Sequence, residues 1–388
     1  MKWEKVRLGE LYSVHNGLSK GSKFFGTGYP FLSFSMVFNN FFIPDELTDL
    51  VQSNEKERDN YSILRGDVFV TRTSETSDEL GMSCVALKDY PNATYNGFTK
   101  RMRPIDNNRV LPEYIGYYMR TPLFRGEFRA FSTMTTRASL KNEDLLGLTV
   151  ALPPVEVQKK IANILRHYDQ LIENNQKQIK LLEEAAQRLY KEWFVDLRFP
   201  GYEDVEIING VPEGWSKELI GDVIGKIPRT KQIKTAEYLR EGIIPIVDQS
   251  RDFIAGYSND TEALVDIGIP VIVFGDHTRI LKYIQFPFAK GADGTQLIVS
   301  NRDNMPQSLL YLSLIGVDLS NYHYARHFKY LKAESILVPS QGIADKFDNL
   351  VTPMLIQIQK LRDKCNKSSR ARDSLLPRLM SGELEVRL

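Results

Sequence analysis

LPPVEVQKKIANILRHYDQLIENN, residues 152–175, decides the fold of this chain. Two prolines end the preceding segment, and no further Gly or Pro occurs until Pro200. A helix over 154–192 would be about 58 Å long at 1.5 Å per residue. A helix of that length exceeds what one compact domain needs, so it predicts an extended element that serves more than one domain.

A second copy of this helix begins at VPSQGIADKF, where Pro339 repeats Pro153 at an offset of 186 (339 minus 153). In both copies the apolar positions alternate in steps of four and three, which is the pattern of a coiled-coil seam. The predicted seam comprises Ile161, Leu165, Tyr168, Ile172, Asn175, Ile179, Leu182 and Leu189 in the first copy, and Phe347, Val351, Met354, Ile358, Leu361 and Leu375 in the second.

One seam without a second apolar face means that each helix needs one partner, and the other copy in the same chain is the obvious one. We therefore predict an antiparallel two-helix coil. A structural stalk or a homodimeric coil is the alternative. Asn175 is polar within the seam, where such residues commonly set register, and simple hydration at an imperfect seam is an equally open interpretation.

The segments before the helices also repeat. WEKVRLGEL begins at Trp3 and WSKELIGDV at Trp215, an offset of 212 (215 minus 3). The predicted class is α+β, with two pseudo-symmetric mixed α/β segments joined by two long helices. The predicted boundaries are 1–152 and 215–338 for the globular segments, 153–198 and 339–388 for the helices with the C-terminal tail, and 199–214 for a connector.

The composition is that of an ordinary globular protein, with 388 residues, 42% hydrophobic residues and a net charge of +1. The two cysteines have no metal-binding spacing and indicate free thiols in a reducing compartment. The N-terminal stretch lacks the apolar core of a signal peptide, and no apolar run is long enough to span a bilayer. We expect a cytoplasmic protein.

Local basic clusters mixed with hydroxyl, amide and aromatic residues occur in both globular segments, and they favour contacts with double-stranded DNA. Each cluster alone is also explained as solvated surface, so the repetition carries the interpretation. The candidate residues are Lys20, Lys23, Lys100, Arg101 and Arg137 in the first segment, and Arg229, Lys231, Arg326 and His327 in the second.

Catalytic and metal-binding interpretations are weaker. His323 and His327 have a helical metal-ligand spacing, but no acidic or Cys partner accompanies them. Asp276 and His277 come without a nucleophile, and NGLSKGSK misses the phosphate-loop spacing. We predict no catalytic residue and no metal site.

SLKNEDLLGLTVALPPVEVQKKIANILRHYDQLI (139–172) and ARDSLLPRLMSGEL (371–384) resemble the conserved helical regions of specificity (S) subunits of Type I restriction-modification enzymes. RGDVFVTRTSE, VIVFGDHTRILKY, KGADGTQLI and YARHFKYLK resemble segments of their target recognition domains. The second helix departs from the pattern, because VPSQGIADKF lacks the PPVEVQ motif, and this leaves its starting point open.

The resemblance implies that each target recognition domain binds one half of a split, asymmetric DNA site and that the helices set the gap. It implies docking of two methyltransferase (M) subunits, which carry S-adenosylmethionine and methylate adenine. Restriction (R) subunits add ATP- and Mg-dependent cleavage. The S chain itself has no cofactor and no active site.

By motif match, the resemblance implies DNA contacts at Thr71, Arg72, Thr73, Asp276, His277, Thr278, Arg279, Arg326 and His327. Alternative roles are open, since Asp276 can cap a turn and Arg72 can pair with Glu75. Two other functions are alternatives for the whole chain. One is a stand-alone site-specific DNA nuclease or methyltransferase, and the other is a coiled-coil protein that binds no DNA.

Overall fold

The computed structural model describes residues 3–74, 80–132, 138–322 and 326–386. These form two compact units. Unit 1 comprises Met1–Glu173 and Asn366–Leu388, and unit 2 comprises Asn174–Cys365. Each long helix therefore contributes one part to each unit.

The described strands of unit 1 are β1 (Glu4–Arg7), β2 (Tyr12–Asn16), β3 (Phe25–Leu32), β4 (Leu50–Val51), β5 (Val68–Thr71), β6 (Thr73–Ser74), β7 (Ser83–Val85), β8 (Thr94–Tyr95), β9 (Thr99–Pro104), β10 (Ala138–Ser139) and β11 (Thr149–Leu152). Its shorter helices are α1 (Leu8–Leu11), α2 (Phe34–Asn39), α3 (Glu55–Asn60), α4 (Pro112–Tyr118), α5 (Pro122–Ser132) and α6 (Asn142–Gly147).

The first long helix, α7, spans Val155–Tyr190 and continues as a π-helical turn over Lys191–Val195. The described strands of unit 2 are β12 (Ile207–Ile208), β13 (Val211–Pro212), β14 (Ser216–Leu219), β15 (Ile244–Val247), β16 (Gly256–Ser258), β17 (Leu264–Val265), β18 (Val271–Gly275), β19 (Leu281–Ile284), β20 (Phe288–Lys290), β21 (Thr295–Ile298) and β22 (Ser335–Val338). Its helices are α8 (Ile220–Val223), α9 (Gln307–Ile315), α10 (His327–Ala333) and the second long helix, α11 (Gln341–Met380).

A buried central strand organises a sheet in each unit. In unit 1, β5 lies between β9 and β7 in the order β2-β9-β5-β7, and in unit 2, β18 lies between β19 and β21. Both central strands are rich in β-branched residues and buried along their whole length, as expected for strands covered on both faces. All their pairings are antiparallel.

The sequence repeat is also a structural repeat. Strand β1 pairs with β11 so that Glu4 faces Leu152, and β14 pairs with β22 so that Ser216 faces Val338. Ser216 lies 212 residues after Glu4, and Val338 lies 186 residues after Leu152, so the strand pairs repeat at the offsets of the sequence repeat. The Leu8 amide then donates to the Leu148 carbonyl at 2.8 Å, and the equivalent Ile220 amide donates to the Glu334 carbonyl at 2.9 Å.

A repeated glycine follows each of these strands. A Cβ on Gly9 would lie 3.3 Å from the Leu146 carbonyl oxygen, and one on Gly221 would lie 3.1 Å from the Lys332 carbonyl oxygen. Both distances are tighter than ordinary van der Waals contact. The glycine shared by RLGEL and LIGDV therefore allows the short helix to pack closely on the segment that leads into the return strand.

Within unit 1, the first part of α7 packs against the last part of α11. Ile161 and Leu165 share one core with Leu376 and Leu379, and all four are buried. The core also contains residues of β5 and α4, so the helix pair forms part of the interior of this unit.

Within unit 2, the second part of α7 packs against the first part of α11. Leu189, Trp193 and Phe194 share a core with Phe347 and Val351, and the Phe194 and Phe347 rings lie 4.9 Å apart edge to face. Glu183 forms an ion pair with Arg362 at 2.7 Å. Residue numbers rise along one helix as they fall along the other, so the pairing is antiparallel.

Every predicted seam residue is buried or half-buried. By contrast, Leu171 and Leu181, which lie off the seam, are 52% and 64% exposed. Asn175 is buried and makes a side-chain hydrogen bond with Cys365, whose pKa is raised by burial. The predicted class, two pseudo-symmetric α/β segments with an antiparallel helix pair, is confirmed.

The second helix begins at Gln341, which lies 186 residues after the Val155 start of α7. At α7, Gln158 donates to the Pro153 carbonyl at 2.9 Å. At α11, Asn304 donates to the equivalent Pro339 carbonyl at 2.8 Å. Asn304, which lies outside α11, thus makes at Pro339 the hydrogen bond that Gln158 makes at Pro153. It marks the start of α11, which the missing PPVEVQ motif had left open.

A charged cluster interrupts the seam in unit 1. Arg372 donates to Asp169 at 2.6 Å, and Tyr117 donates a short hydrogen bond to the same carboxylate. The Arg372 guanidinium also lies 5.0 Å from the centre of the Phe41 ring. Burial raises the pKa of Tyr117, and the Asp169 charge raises it further, so the phenol stays a donor.

We expect Arg372→Met to destabilise the protein by about 3 kcal/mol, because it leaves a buried carboxylate without its cation. Asp169→Asn combined with Arg372→Met should recover most of that loss, since neither charge is then left unpaired. Urea unfolding of the two single variants and the double variant measures the coupling. If the losses in the free energy of unfolding of the two single variants simply add in the double variant, Asp169 and Arg372 are not coupled and the buried ion pair is contradicted.

Candidate nucleic-acid interface

The hairpin tip that follows the central strand of unit 1 meets a neighbouring turn. The Arg72 amide donates to the Phe98 carbonyl at 3.0 Å, just after β5 and just before β9. The Thr71 hydroxyl accepts from the Met82 amide at 2.9 Å, which ties the two arms of the hairpin together. The tip and the turn are thus fixed to each other by backbone contacts.

Unit 2 has the same arrangement. The Asp276 amide donates to the Gly294 carbonyl at 2.7 Å, just after β18 and just before β21. Thr71 pairs with Thr99 in the first sheet, and Gly275 pairs with Thr295 in the second. Arg72 and Asp276 are therefore structural equivalents, as are Phe98 and Gly294.

Two glycines bring a second loop against the turn of unit 1. A Cβ on Gly17 would lie 2.0 Å from the Asn96 carbonyl oxygen, and one on Gly97 would lie 2.2 Å from the Ser19 hydroxyl. The Phe98 amide donates to the Asn96 side chain at 2.7 Å. This tightly packed turn presents Phe98 with 60% of its surface exposed.

The predicted basic residues of unit 1 differ in environment. Lys100 and Arg101 are buried, with Lys100 bonded to Asn142 and Arg101 donating to the Ser62 carbonyl at 2.7 Å. Burial lowers the pKa of Lys100, and the nearby Arg72 guanidinium lowers it further. Lys100 and Arg72 therefore place two positive charges close together beside Phe98.

Lys20 lies on the loop after β2, and Lys23 lies in the 3-10 helical turn Ser22–Phe24 that follows this loop. Lys20 forms a 2.8 Å ion pair with Glu57, while Lys23 is exposed and lies 5.1 Å from the centre of the Phe24 ring. Thr73 lies in β6, which pairs with β10, but its side chain is not among those described. Arg137, and Glu75 as a partner of Arg72, lie outside the described residues.

In unit 2, Asp276 and His327 are buried, and their hydrogen bonds join the turn after β18 to the start of α10. The Asp276 carboxylate accepts from the Phe328 amide at 2.8 Å, in the first turn of α10. The His327 ring nitrogens lie 2.8 Å from the Asp276 carbonyl and 3.0 Å from the Tyr322 carbonyl. In this arrangement both side chains fasten the hairpin to α10, and the Asp276 carboxylate satisfies an amide of the first turn of that helix.

The other side chains of this hairpin are more accessible. His277 is exposed, and the Thr278 hydroxyl donates to the Gln249 carbonyl at 2.7 Å. Arg279 has a positive φ of 61°, and its amide closes the tight turn by donating to the Gly275 carbonyl at 2.8 Å. Its guanidinium donates to the Leu319 carbonyl at 3.0 Å and ties the turn to that segment. His277, Thr278 and Arg279 are thus all exposed, and the side chains of Thr278 and Arg279 are in addition bonded to other segments.

The remaining predicted residues of unit 2 lie on separate segments. Arg229 and Arg326 are exposed, the latter immediately before α10. Lys231 forms a 2.5 Å ion pair with Asp260, and the hydrogen bond that its ammonium donates to that carboxylate raises the pKa of Lys231. These contacts leave Arg229 and Arg326 as exposed cations of this unit.

Sequence reasoning missed two residues at these tips. Phe98 belongs to the basic FTKRMRP stretch, but only the structure shows that its ring is exposed at a fixed turn. Gln249 contacts the His277–Thr278 segment from a distant loop, and no local pattern in VDQSRDF indicates this.

Within the described ranges, no group of three or more His, Cys, Asp or Glu side chains could hold a metal ion. His323 lies outside these ranges. No helix described has the length and hydropathy needed to cross a membrane.

Two equivalent polar tips, one in each unit of a chain with paired long helices, define a two-part scaffold for recognition. Residues 1–184 match the family described as the Type I restriction modification DNA specificity domain. The chain is 28% identical to the MjaIX specificity subunit of Methanocaldococcus jannaschii, over 82% of this chain and 79% of the relative. It is also 28% identical to the HindI specificity subunit of Haemophilus influenzae, over 50% of this chain and 41% of the relative.

The crystal structure of a Type I restriction-modification S subunit from M. genitalium has the same fold, with a TM-score of 0.59 at 13% identity. It covers 99% of this chain, and 97% of its own chain is matched. Residues 1–184 therefore carry the DNA specificity domain of Type I restriction-modification systems, and the predicted resemblance to specificity subunits is confirmed.

The packing of the Phe98 turn gives a direct test. We expect Gly17→Ala to destabilise the protein by about 1–3 kcal/mol, because its methyl group would overlap the Asn96 carbonyl. Gly21→Ala, in the same loop, is the matched control, since its Cβ would have no atom within 4 Å. Thermal unfolding compares the two, and equal midpoints would contradict the close packing.

Proposed function

We propose that this chain reads a bipartite, asymmetric DNA site, with one unit bound to each half and the helix pair setting the unread gap. The observation that carries this proposal is a repeated arrangement. In both units, the hairpin tip after the central strand is bonded to a neighbouring turn at the equivalent edge of the sheet. An equivalent frame with different tip residues suits two half-sites of different sequence.

The two tips suit different contacts with DNA. In unit 1, Arg72 supplies positive charge for a phosphate or a guanine edge, and the buried Lys100 adds to the positive field around it without contacting DNA. Phe98 supplies an apolar surface for a thymine methyl group or a sugar. In unit 2, His277 supplies a polar side chain, with Arg229 and Arg326 as cations for the backbone. The wider set predicted from sequence, including Lys20, Lys23 and Thr73, stays a prediction of the binding region.

The wider assembly follows from the family. We propose that two M subunits dock on the helix pair and methylate adenine with their own S-adenosylmethionine, and that R subunits add ATP- and Mg-dependent cleavage. The S chain would hold no cofactor and would act in the cytoplasm. No observation favours the alternative of a stand-alone nuclease or methyltransferase.

Lengthening the helix pair tests the spacing role. Seven residues inserted after Lys177 and seven after Asp363 preserve the four-and-three seam in both helices. Each insertion adds about 10 Å at 1.5 Å per residue, or roughly three base pairs of DNA at 3.4 Å each. We expect methylation mapping with the assembled complex to show a gap wider by about that amount, with both half-sites unchanged.

An insertion in α7 alone is the control, because it breaks the pairing and should abolish site-specific methylation. A lengthened pair that keeps the original gap would rule out the spacing role. A change in either half-site sequence would argue against independent reading by the two units.

The absence of an active site gives a separate prediction. We expect the purified chain to transfer no methyl group to DNA from S-adenosylmethionine, and to gain site-specific methylation only when M subunits are added. Radiolabelled methyl transfer measures both conditions. Turnover by the isolated chain would support the stand-alone enzyme.

A further inference from the structure

Gln249 lies on the loop after β15 and joins two segments that are distant in sequence. Its Oε1 accepts from the His277 amide at 3.1 Å, and its Nε2 donates to the Asp293 carbonyl at 2.8 Å. Its own backbone carbonyl accepts from the Thr278 hydroxyl at 2.7 Å. One residue therefore adds a second connection between the hairpin tip and the turn before β21, beside the Asp276–Gly294 backbone hydrogen bond.

The loop that carries Gln249 is itself held from below. The buried Lys282 donates to the Asp248 carbonyl at 2.8 Å and to the Asp252 carbonyl at 2.5 Å. The Ser250 amide donates to the Asp248 carboxylate at 2.9 Å, which closes the loop on itself. Hydrogen bonds thus hold the backbone on both sides of Gln249, and its side chain extends from an ordered loop.

The three segments converge closely at Gly294. This residue has a positive φ of 82°, and a Cβ there would lie 2.8 Å from His277 Cδ2 and 2.9 Å from Gln249 Nε2. Glycine meets both requirements, since it adopts this backbone conformation without strain and has no side chain to displace its neighbours. The His277 ring is therefore packed against a defined surface.

The hydrogen bonds indicate what kind of role Gln249 has. Its side-chain oxygen and nitrogen are both bonded to the protein backbone, so these two hydrogen bonds orient the backbone at His277 and at Asp293. His277, by contrast, is exposed and takes its position from the backbone that Gln249 holds. A side chain that reads bases must be held within a fraction of an ångström of its productive position.

We propose that Gln249 is a positioning residue for the second half-site, holding the His277–Thr278 tip and the Asp293–Gly294 turn in the arrangement that discriminates bases. This inference rests on the proposed reading of one half-site by each unit. Without the amide, the Asp276–Gly294 backbone bond still joins the tip to the turn, but the His277–Thr278 segment beyond it loses its side-chain tie, and discrimination falls in that half-site alone.

The test uses two substitutions at Gln249 in the assembled complex with M subunits. Gln249→Met keeps the volume of the side chain and removes both of its side-chain hydrogen bonds, while the bond from the Thr278 hydroxyl to the backbone carbonyl remains. Gln249→Glu keeps an acceptor for the His277 amide but loses the donor to the Asp293 carbonyl. Gln52→Met, which removes a 3.0 Å hydrogen bond to Thr27 in unit 1, is the matched control.

Methylation rates are measured on a panel of duplexes with single base-pair changes in each half-site. For Gln249→Met we expect discrimination in the second half-site to fall by about tenfold, in line with loss of one base-specific contact. Discrimination in the first half-site should be unchanged. Gln249→Glu should give a smaller loss, and Gln52→Met should leave the second half-site unaffected.

Unchanged discrimination in the second half-site with both Gln249 variants would overturn the inference. Equal loss in both half-sites, or a lowered unfolding temperature in both variants, would show a general stabilising role and would also overturn it. Failure of the proposed function has a different signature, because the wild-type complex would then show no bipartite preference at all.

Discussion

Burial of the apolar seam of two long helices is the constraint on which both units depend. In unit 1, Leu376 and Leu379 complete a core that begins with β1 near the other end of the chain. In unit 2, Phe347 and Val351 pack with Trp193 and Phe194 in the same way. Each unit therefore draws its core from segments far apart in sequence, and neither has a complete interior without the helices. The same two helices serve both cores, but each stretch of the seam belongs to the core of one unit.

The repeat separates a constant frame from variable tips. The register of the strand pairs, the hydrogen bond that follows each pair and the glycine at 9 and 221 are the same in both units. At the tips the residues differ in chemistry, with Arg72 and Phe98 in one unit and Asp276 and Gly294 in the other. An equivalent backbone contact joins tip and turn in both, so the frame tolerates different side chains at these positions.

The helices, the seam and the repeat could be predicted from sequence because each is a periodic pattern extended over many residues. The tips could not, because a polar residue after a strand serves equally well for an internal hydrogen bond or for an external ligand. Thr71, Asp276 and His327 are bonded within the protein, whereas His277 is exposed two residues beyond β18. Gln249 was missed because its role depends on contacts across 28 and 44 residues, which no local pattern encodes.

This division between bonded and exposed polar residues has a physical basis. A buried polar group without a partner costs about 1–3 kcal/mol, so residues such as Asp276 and Lys282 are confined to their present roles. An exposed side chain at a fixed tip carries no such cost, because water satisfies it in the free protein. Replacing His277 or Phe98 therefore changes what the tip presents while the bonds beneath it persist. New sequence preferences can arise at the tips of this fold without rebuilding the sheets, provided that the groups holding each tip are retained.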